Sequence, residues 1–148
     1  MGCDIHLHIE VKVAGKWEHW GNPNIRRSYR LFGAMAGVRD EEEIPIVAPK
    51  GFPSDASLLT RMDYEHEGLD AHTPSWLDHK EIIALEKRLN QWRKEEVERN
   101  PSFWGLDLEH HILHSYLFGN SFTAKWKHDD IDYAPGVDDV RFVFWFDN

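Results

Sequence analysis

A single cysteine in 148 residues excludes an internal disulfide and a cysteine-built zinc site. Cys3 falls among the apolar positions of its segment, so it reads as a small buried hydrophobe rather than a nucleophile. Positive charge is also scarce. The 17 Lys and Arg residues against 26 Asp and Glu leave a net charge of −9, which opposes the counterion release that drives binding to a nucleic-acid polymer. No apolar run approaches the roughly 20 residues of a membrane span, and the amino-terminal stretch has no signal-type apolar region, so neither a membrane nor export is expected. The simplest expectation is a cytoplasmic protein. Internal repeats and low-complexity segments are lacking too. Apolar and aromatic residues, by contrast, reach 41% and 13%, with seven tryptophans, enough for one domain over residues 1–148 with a sizeable core.

The opening stretch "MGCDIHLHIE" alternates strictly. Asp4, His6, His8 and Glu10 take one face of a strand, while Cys3, Ile5, Leu7, Ile9 and Val11 take the other. With a turn at Ala14-Gly15 and a return through Lys16 to Trp20, this reads as a β-hairpin. Tyr29, Phe32, Met35 and Ala36 recur at helical spacing, with Gly37 as the stop. The segment Asp40 to Asp55, with three prolines and an acidic run, reads as a long irregular loop of the kind that often carries function. A short helix from Ser54 or Ser57 to Gly68 follows. Asp78 and Glu81 then form a capping box for a helix striped by Ile82, Leu85, Leu89 and Trp92. "LDLEHHILHSYLFGN" reads as a further helix. The closing "DDVRFVFWFDN" is a strand with Phe142, Phe144 and Phe146 on one face and Arg141, Val143, Trp145 and Asp147 on the other. The expected fold is α+β: a single domain with a small, mostly antiparallel sheet that includes the N-terminal hairpin and the C-terminal strand, helices packed on its apolar face, and the polar face forming the floor of a site beneath the long loop.

"MGCDIH", "RSYRLFGAMAGVR", "KGFPSDAS", "GLDAHTPSWL" and "DVRFVFWFDN" together resemble a family of small bacteriophage and prophage proteins that share the "MGCDIH" opening. The resemblance covers most of the chain, with the motifs in order. It implies a phage origin, hence action in the cytosol of an infected bacterium, and no particular chemistry. The family pattern falls on Asp4, His6, Glu10, Arg27, Tyr29, Phe32, Arg39, Pro53, Asp55, Asp70, His72, Ser75, Trp76, Arg141, Asp147 and Asn148. His8 departs from it, and residues 93–132 match none of its motifs.

Two Asp-x-His pairs, Asp4 with His6 and Asp70 with His72, are the candidate catalytic groups. Asp4, His6 and His72, joined by Glu10 or Asp147, could hold a divalent metal such as Zn or Mn, whose bound water becomes a nucleophile near neutral pH. Without metal, either histidine could serve as a general base. The bland alternative is that Asp4 and His6 hydrogen-bond a neighbouring loop. Arg27, Arg39 and Arg141, with Tyr29, Trp76, Trp145 and Asp147, form a candidate site for a small anionic or nucleotide-like ligand, because arginine matches phosphate with a fixed donor fork and aromatics stack on bases. Here the alternative is ion pairing with the surplus of acids. His110 and His114 share a helix face but lack the glutamate of a metalloprotease motif, and Ser75 lacks a nucleophile elbow. Trp17, Trp20, Trp92 and Trp104 read as core or interface.

Three functions remain open at this level. One is a small hydrolase or phosphoesterase, metal-dependent or not, acting on a nucleotide-like molecule. The second is a non-catalytic binder that sequesters a nucleotide messenger of host defence. The third is an acidic inhibitor of a host protein, working through the Glu41–Glu43 loop. Homo-oligomerisation is compatible with all three.

Overall fold

The computed structural model describes residues 2–100, 124–127 and 130–148. Strand β1 (Asp4–Val13) turns through Ala14 and Gly15, both at positive φ, into β2 (Lys16–Gly21), as the hairpin pattern requires. Helix α1 (Tyr29–Ala36) starts where the Ser28 side chain accepts from the Leu31 amide, and it stops at Gly37, which adopts the left-handed conformation (φ 70°). The stretch 38–57 is irregular, as expected. Helix α2 (Leu58–Glu67) runs into a 3-10 turn at Gly68–Asp70, then strand β3 (His72–Leu77). Helix α3 (His79–Arg99) opens with the capping box of Asp78 and Glu81. Strands β4 (Ala124–Lys127) and β5 (Asp130–Tyr133) form a two-stranded ribbon, and β6 (Asp139–Asp147) closes the chain. The stretches expected to hold the "EHHILH" helix and Trp104 lie outside the described residues.

The main sheet is antiparallel, in the order β2-β1-β6-β3. The fold is α+β, in one small domain. Strand β6 lies between β1 and β3 and is buried from Val140 to Phe146, which explains its nearly unbroken apolar and aromatic run. Pairing of Ile5 with Phe146, Leu7 with Phe144 and Ile9 with Phe142 puts the apolar sets of the two terminal strands on one face. Leu31, Phe32 and Met35 of α1 and Ile82, Leu85 and Leu89 of α3 join them in a single core, with Phe32 edge-on to Phe146.

Strand β3 was not legible as a strand. It carries Pro74 and a one-residue register shift between His72 and Ser75, with Thr73 at φ 50°. A sheet edge tolerates both, since proline there leaves no ladder bond unmade. The remaining helix, α2, lies across the opposite, polar face: Asp63 reaches His8, and Tyr64 packs on Trp145.

Candidate functional site

The polar face divides into a sealed end, a middle and an open end. At the sealed end Glu10 is fully buried. Its Oε1 accepts from Arg141 Nε at 2.8 Å, and its Oε2 accepts from the Ser57 amide at 2.7 Å. Arg141 Nη2 lies 2.7 Å from the same Oε1, off the axis of a hydrogen bond but within ion-pair reach, while Nη1 donates to Asp55 at 2.9 Å. Burial works against the Asp55 carboxylate, but the Arg141 contacts outweigh it and hold its pKa below the ordinary value. The guanidinium lies 4.1 Å from the Trp17 ring and 5.9 Å from Trp76, and Lys50 covers Trp76 at 3.5 Å. Arg141, Trp76 and Asp55 thus serve the fold, and the ion-pairing alternative holds for Arg141.

In the middle, His8 is 3% exposed. Its Nε2 lies 2.7 Å from Asp63 Oδ2 and its Nδ1 lies 2.9 Å from His19 Nε2. A carboxylate only accepts, so His8 Nε2–H donates to Asp63 and His8 Nδ1 accepts from His19 Nε2–H. Burial pushes the His8 pKa down against the pull of Asp63; burial and then His8 itself push that of His19 down. Trp145 is fully buried, stacked on His6 and His8 and capped by Tyr64 and Phe52. A ligand cannot stack on it, so Trp145 is a core residue of the polar face rather than a ligand platform.

At the open end, His6 Nε2 lies 2.6 Å from Asp147 Oδ2 and 3.8 Å from Glu67 Oε2. The three side chains are between about a fifth and a third exposed, and their ligand-grade atoms lie within 4.8 Å of one another. No other such group of three occurs among the described residues. His6 and Asp147 line a cleft of about 400 Å³ with Asp4 and the loop Asn22–Ile25. Arg27 donates to both oxygens of Asp4, at 3.0 and 2.9 Å, and this bidentate bond holds the Asp4 carboxyl below its usual range. Arg27 lies directly over Gly2, where a Cβ would sit 2.0 Å from Nη1.

The second Asp-x-His pair does not join the first. Asp70 is exposed on the 3-10 turn. His72 pairs with Phe146 on the apolar side; its Nε2 lies 3.3 Å from Asn148 Oδ1 and 3.9 Å from Cys3 Sγ. Cys3 is fully buried, and burial raises its thiol pKa against a hydrogen bond with Arg39, the opposite of an activated nucleophile. Arg39 also donates to Asn148, and the Tyr29 hydroxyl accepts from the Cys3 amide. Of the expected metal set of Asp4, His6 and His72, only His6 lies in a group of three ligand-grade side chains, with Glu67 and Asp147; Asp4 is held by Arg27 and His72 faces the apolar side. Ser75 is buried and its Oγ accepts from the Lys50 amide, a structural hydroxyl.

Glu67 and His19 belong to the polar face without being among the residues that the sequence pattern singles out. Each had a signal: Glu67 follows Asp63 by four residues on a helix whose leucines and methionine fall on the other side, and His19 sits opposite Glu10 in the hairpin register. No protein-family profile, curated protein or solved structure matches the chain. No helix among the described residues is long and apolar enough to cross a membrane.

Proposed function

We propose that His6, Glu67 and Asp147 hold a divalent metal ion, Zn or Mn, and that the site hydrolyses a small anionic phosphoester. The observation that carries this reading is the convergence of one imidazole and two carboxylates, within 4.8 Å of one another, beside a cleft open to solvent. Three protein ligands leave coordination positions for water and substrate, as hydrolytic metal centres need. Two oxygen donors and one nitrogen suit Mn or Zn better than a thiophilic ion. Binding requires the His6–Asp147 contact to open, since 2.6 Å is a hydrogen-bond separation shorter than the spacing of two ligands on one ion. Arg27, which donates to Asp4 on the cleft wall, would supply the positive charge that favours a substrate anion. With Trp145 and Arg141 buried, the reading rests on the phosphate of a nucleotide-like molecule and not on its base. The resemblance to phage proteins would place this activity in the cytosol of an infected bacterium.

The test is calorimetric titration of the chelator-treated protein with Mn²⁺ and Zn²⁺, repeated on Asp147→Asn and His6→Ala. Incubation with an aryl phosphodiester and a panel of cyclic nucleotides follows. Saturable binding lost in both variants, together with a converted compound, supports the proposal. A compound that disappears and returns intact on heating makes the protein a sequestering binder. Absence of metal binding at millimolar concentration sinks the metal centre.

A further inference from the structure

Helix α2 is built inside out. Its inward face presents Thr60, Asp63, Tyr64 and Glu67 to the sheet: Thr60 bonds Ser57, Asp63 bonds His8, Tyr64 packs on Trp145 and Glu67 approaches His6. Its outward face is apolar. Leu58, Leu59 and Met62 are 71%, 59% and 56% exposed, and Leu69, on the following turn, is wholly exposed. A helix on a soluble domain ordinarily turns its apolar stripe to the core and its charges to water. Here the polar residues face the sheet, and Leu58, Leu59 and Met62 are left exposed on the outer side, with Leu69 exposed on the turn that follows, apolar surface of the type that marks an interaction site.

The charges around this surface say what would cover it. From Ser54 to His72 the acids beside it are Glu65 and Asp70, with one base, Arg61, because Asp55 pairs with Arg141, Asp63 with His8, and Glu67 lies by His6. The Arg61 guanidinium donates to the Ser54 carbonyl at 2.7 Å and lies 5.9 Å from the Phe52 ring, so it is engaged within the chain. A second copy would bring acid against acid in a protein of net charge −9. A partner helix flanked by Lys and Arg meets leucine with its apolar stripe and carboxylate with its rim.

We infer that Leu58, Leu59, Met62 and Leu69 form a docking surface for a basic amphipathic helix of another protein. The inference is independent of the metal proposal, since it uses the opposite face of α2. It also moves any protein-binding role away from the Glu41–Glu43 loop, where Glu43 is engaged by Arg30.

The probe is a synthetic helical peptide of leucine and lysine with leucines at i, i+3, i+4 and i+7, titrated into the full chain by fluorescence anisotropy. A peptide with glutamate in place of lysine is the control. Salt-sensitive binding of the lysine peptide, weakened at least about tenfold by Leu59→Glu with Met62→Glu and absent for the glutamate peptide, supports the inference. Leu58→Gln with Leu69→Gln repeats the test should the first pair lower the melting midpoint. Equal binding by wild type and variants overturns it, as does equal binding of both peptides. A wild-type dimer in sedimentation velocity that these substitutions dissociate overturns it in favour of a second copy. Binding to neutral phosphatidylcholine vesicles that the substitutions abolish overturns it in favour of lipid.

Discussion

Glu10→Ala is the most demanding perturbation of the polar face. Glu10 is fully buried, and it neutralises a guanidinium that is itself only 3% exposed. Removing one partner of such a pair leaves an uncompensated buried charge, at a cost of about 3–5 kcal/mol. The Ser57 amide, which donates to Glu10 at 2.7 Å, would lose its acceptor as well. Asp55 still accepts from Arg141 Nη1, but its side chain is 65% exposed and compensates only in part, which keeps the expected loss within that range. For a domain of this size the melting midpoint should fall by roughly 6–20 °C. Urea unfolding followed by far-UV circular dichroism measures the change directly. Glu10→Met with Arg141→Met should recover at least half of the loss, because no unpaired charge is left. A loss below about 1 kcal/mol for Glu10→Ala, or a double variant less stable than the single one, would refute the view that this pair holds the 50–57 segment to the sheet.

Stability should also depend on mild acid. His8 and His19 both have pKa values depressed below 6.5 in the fold, so below that pH the unfolded chain binds more protons. Unfolding free energy is then flat above about pH 6.5 and falls on acidification, by up to about 1.4 kcal/mol per pH unit for each histidine. The depressed carboxylates Asp4 and Asp55 add their own loss only below about pH 4. Urea titrations across that range should show the slope, reduced in His19→Gln; stability that rises on acidification contradicts the assignment. Asp4→Ala breaks an ion pair whose side chains are 54% and 48% exposed, so differential scanning calorimetry at physiological salt should find an almost unchanged midpoint. Gly33→Ala would place a Cβ 2.8 Å from Asp40 Cβ and 2.9 Å from Glu43 Cβ, destabilising by about 1–3 kcal/mol through displacement of the 40–43 loop. Wild-type stability in that variant would show that the loop yields freely.

The α+β fold was legible where period and punctuation agree. Alternation over Asp4–Val11 and Arg141–Asp147 assigned both faces of the two terminal strands, and Ser28, Gly37 and the Asp78–Glu81 box marked helix ends. Strand β3 escaped because Pro74 and the bulge at Thr73 erase alternation within six residues. The site was half legible. Parity placed His6 and Asp147 together, but nothing local could say that Arg27 would hold Asp4, or that His72 would turn to the apolar side after a one-residue register shift. Ion pairing and burial of Arg141 and Trp145 depend on which element covers the polar face. The long loop covers it at Glu10 and Arg141, through Ser57 and Asp55, and α2, a helix whose apolar residues point the wrong way for its usual recognition, covers His8 and, with Phe52, Trp145.

The match between α2 and β1 supports the open end as the place for the proposed ion. His8 and His6 are two residues apart on a strand, about 6.6 Å, and Asp63 and Glu67 are four apart on a helix, about 6.0 Å, so successive acid–imidazole rungs can form with little strain. The fit is closest at the inner rung, where His8 and Asp63 are 2.7 Å apart, and it widens to 3.8 Å between His6 and Glu67. In the inner rung only His8 is buried, stacked on Trp145, while the Asp63 side chain is 38% exposed; both His8 nitrogens are already engaged, by Asp63 and His19. The outer rung has a second carboxylate, Asp147, on the neighbouring strand and a cleft beside it. A cation there would take the place of the closed His6–Asp147 contact and draw in Glu67, the last residue of α2. The alternation that makes β1 a strand thus supplies two acid–imidazole rungs, an inner one around a buried histidine and an outer one that a second carboxylate and a cleft adjoin.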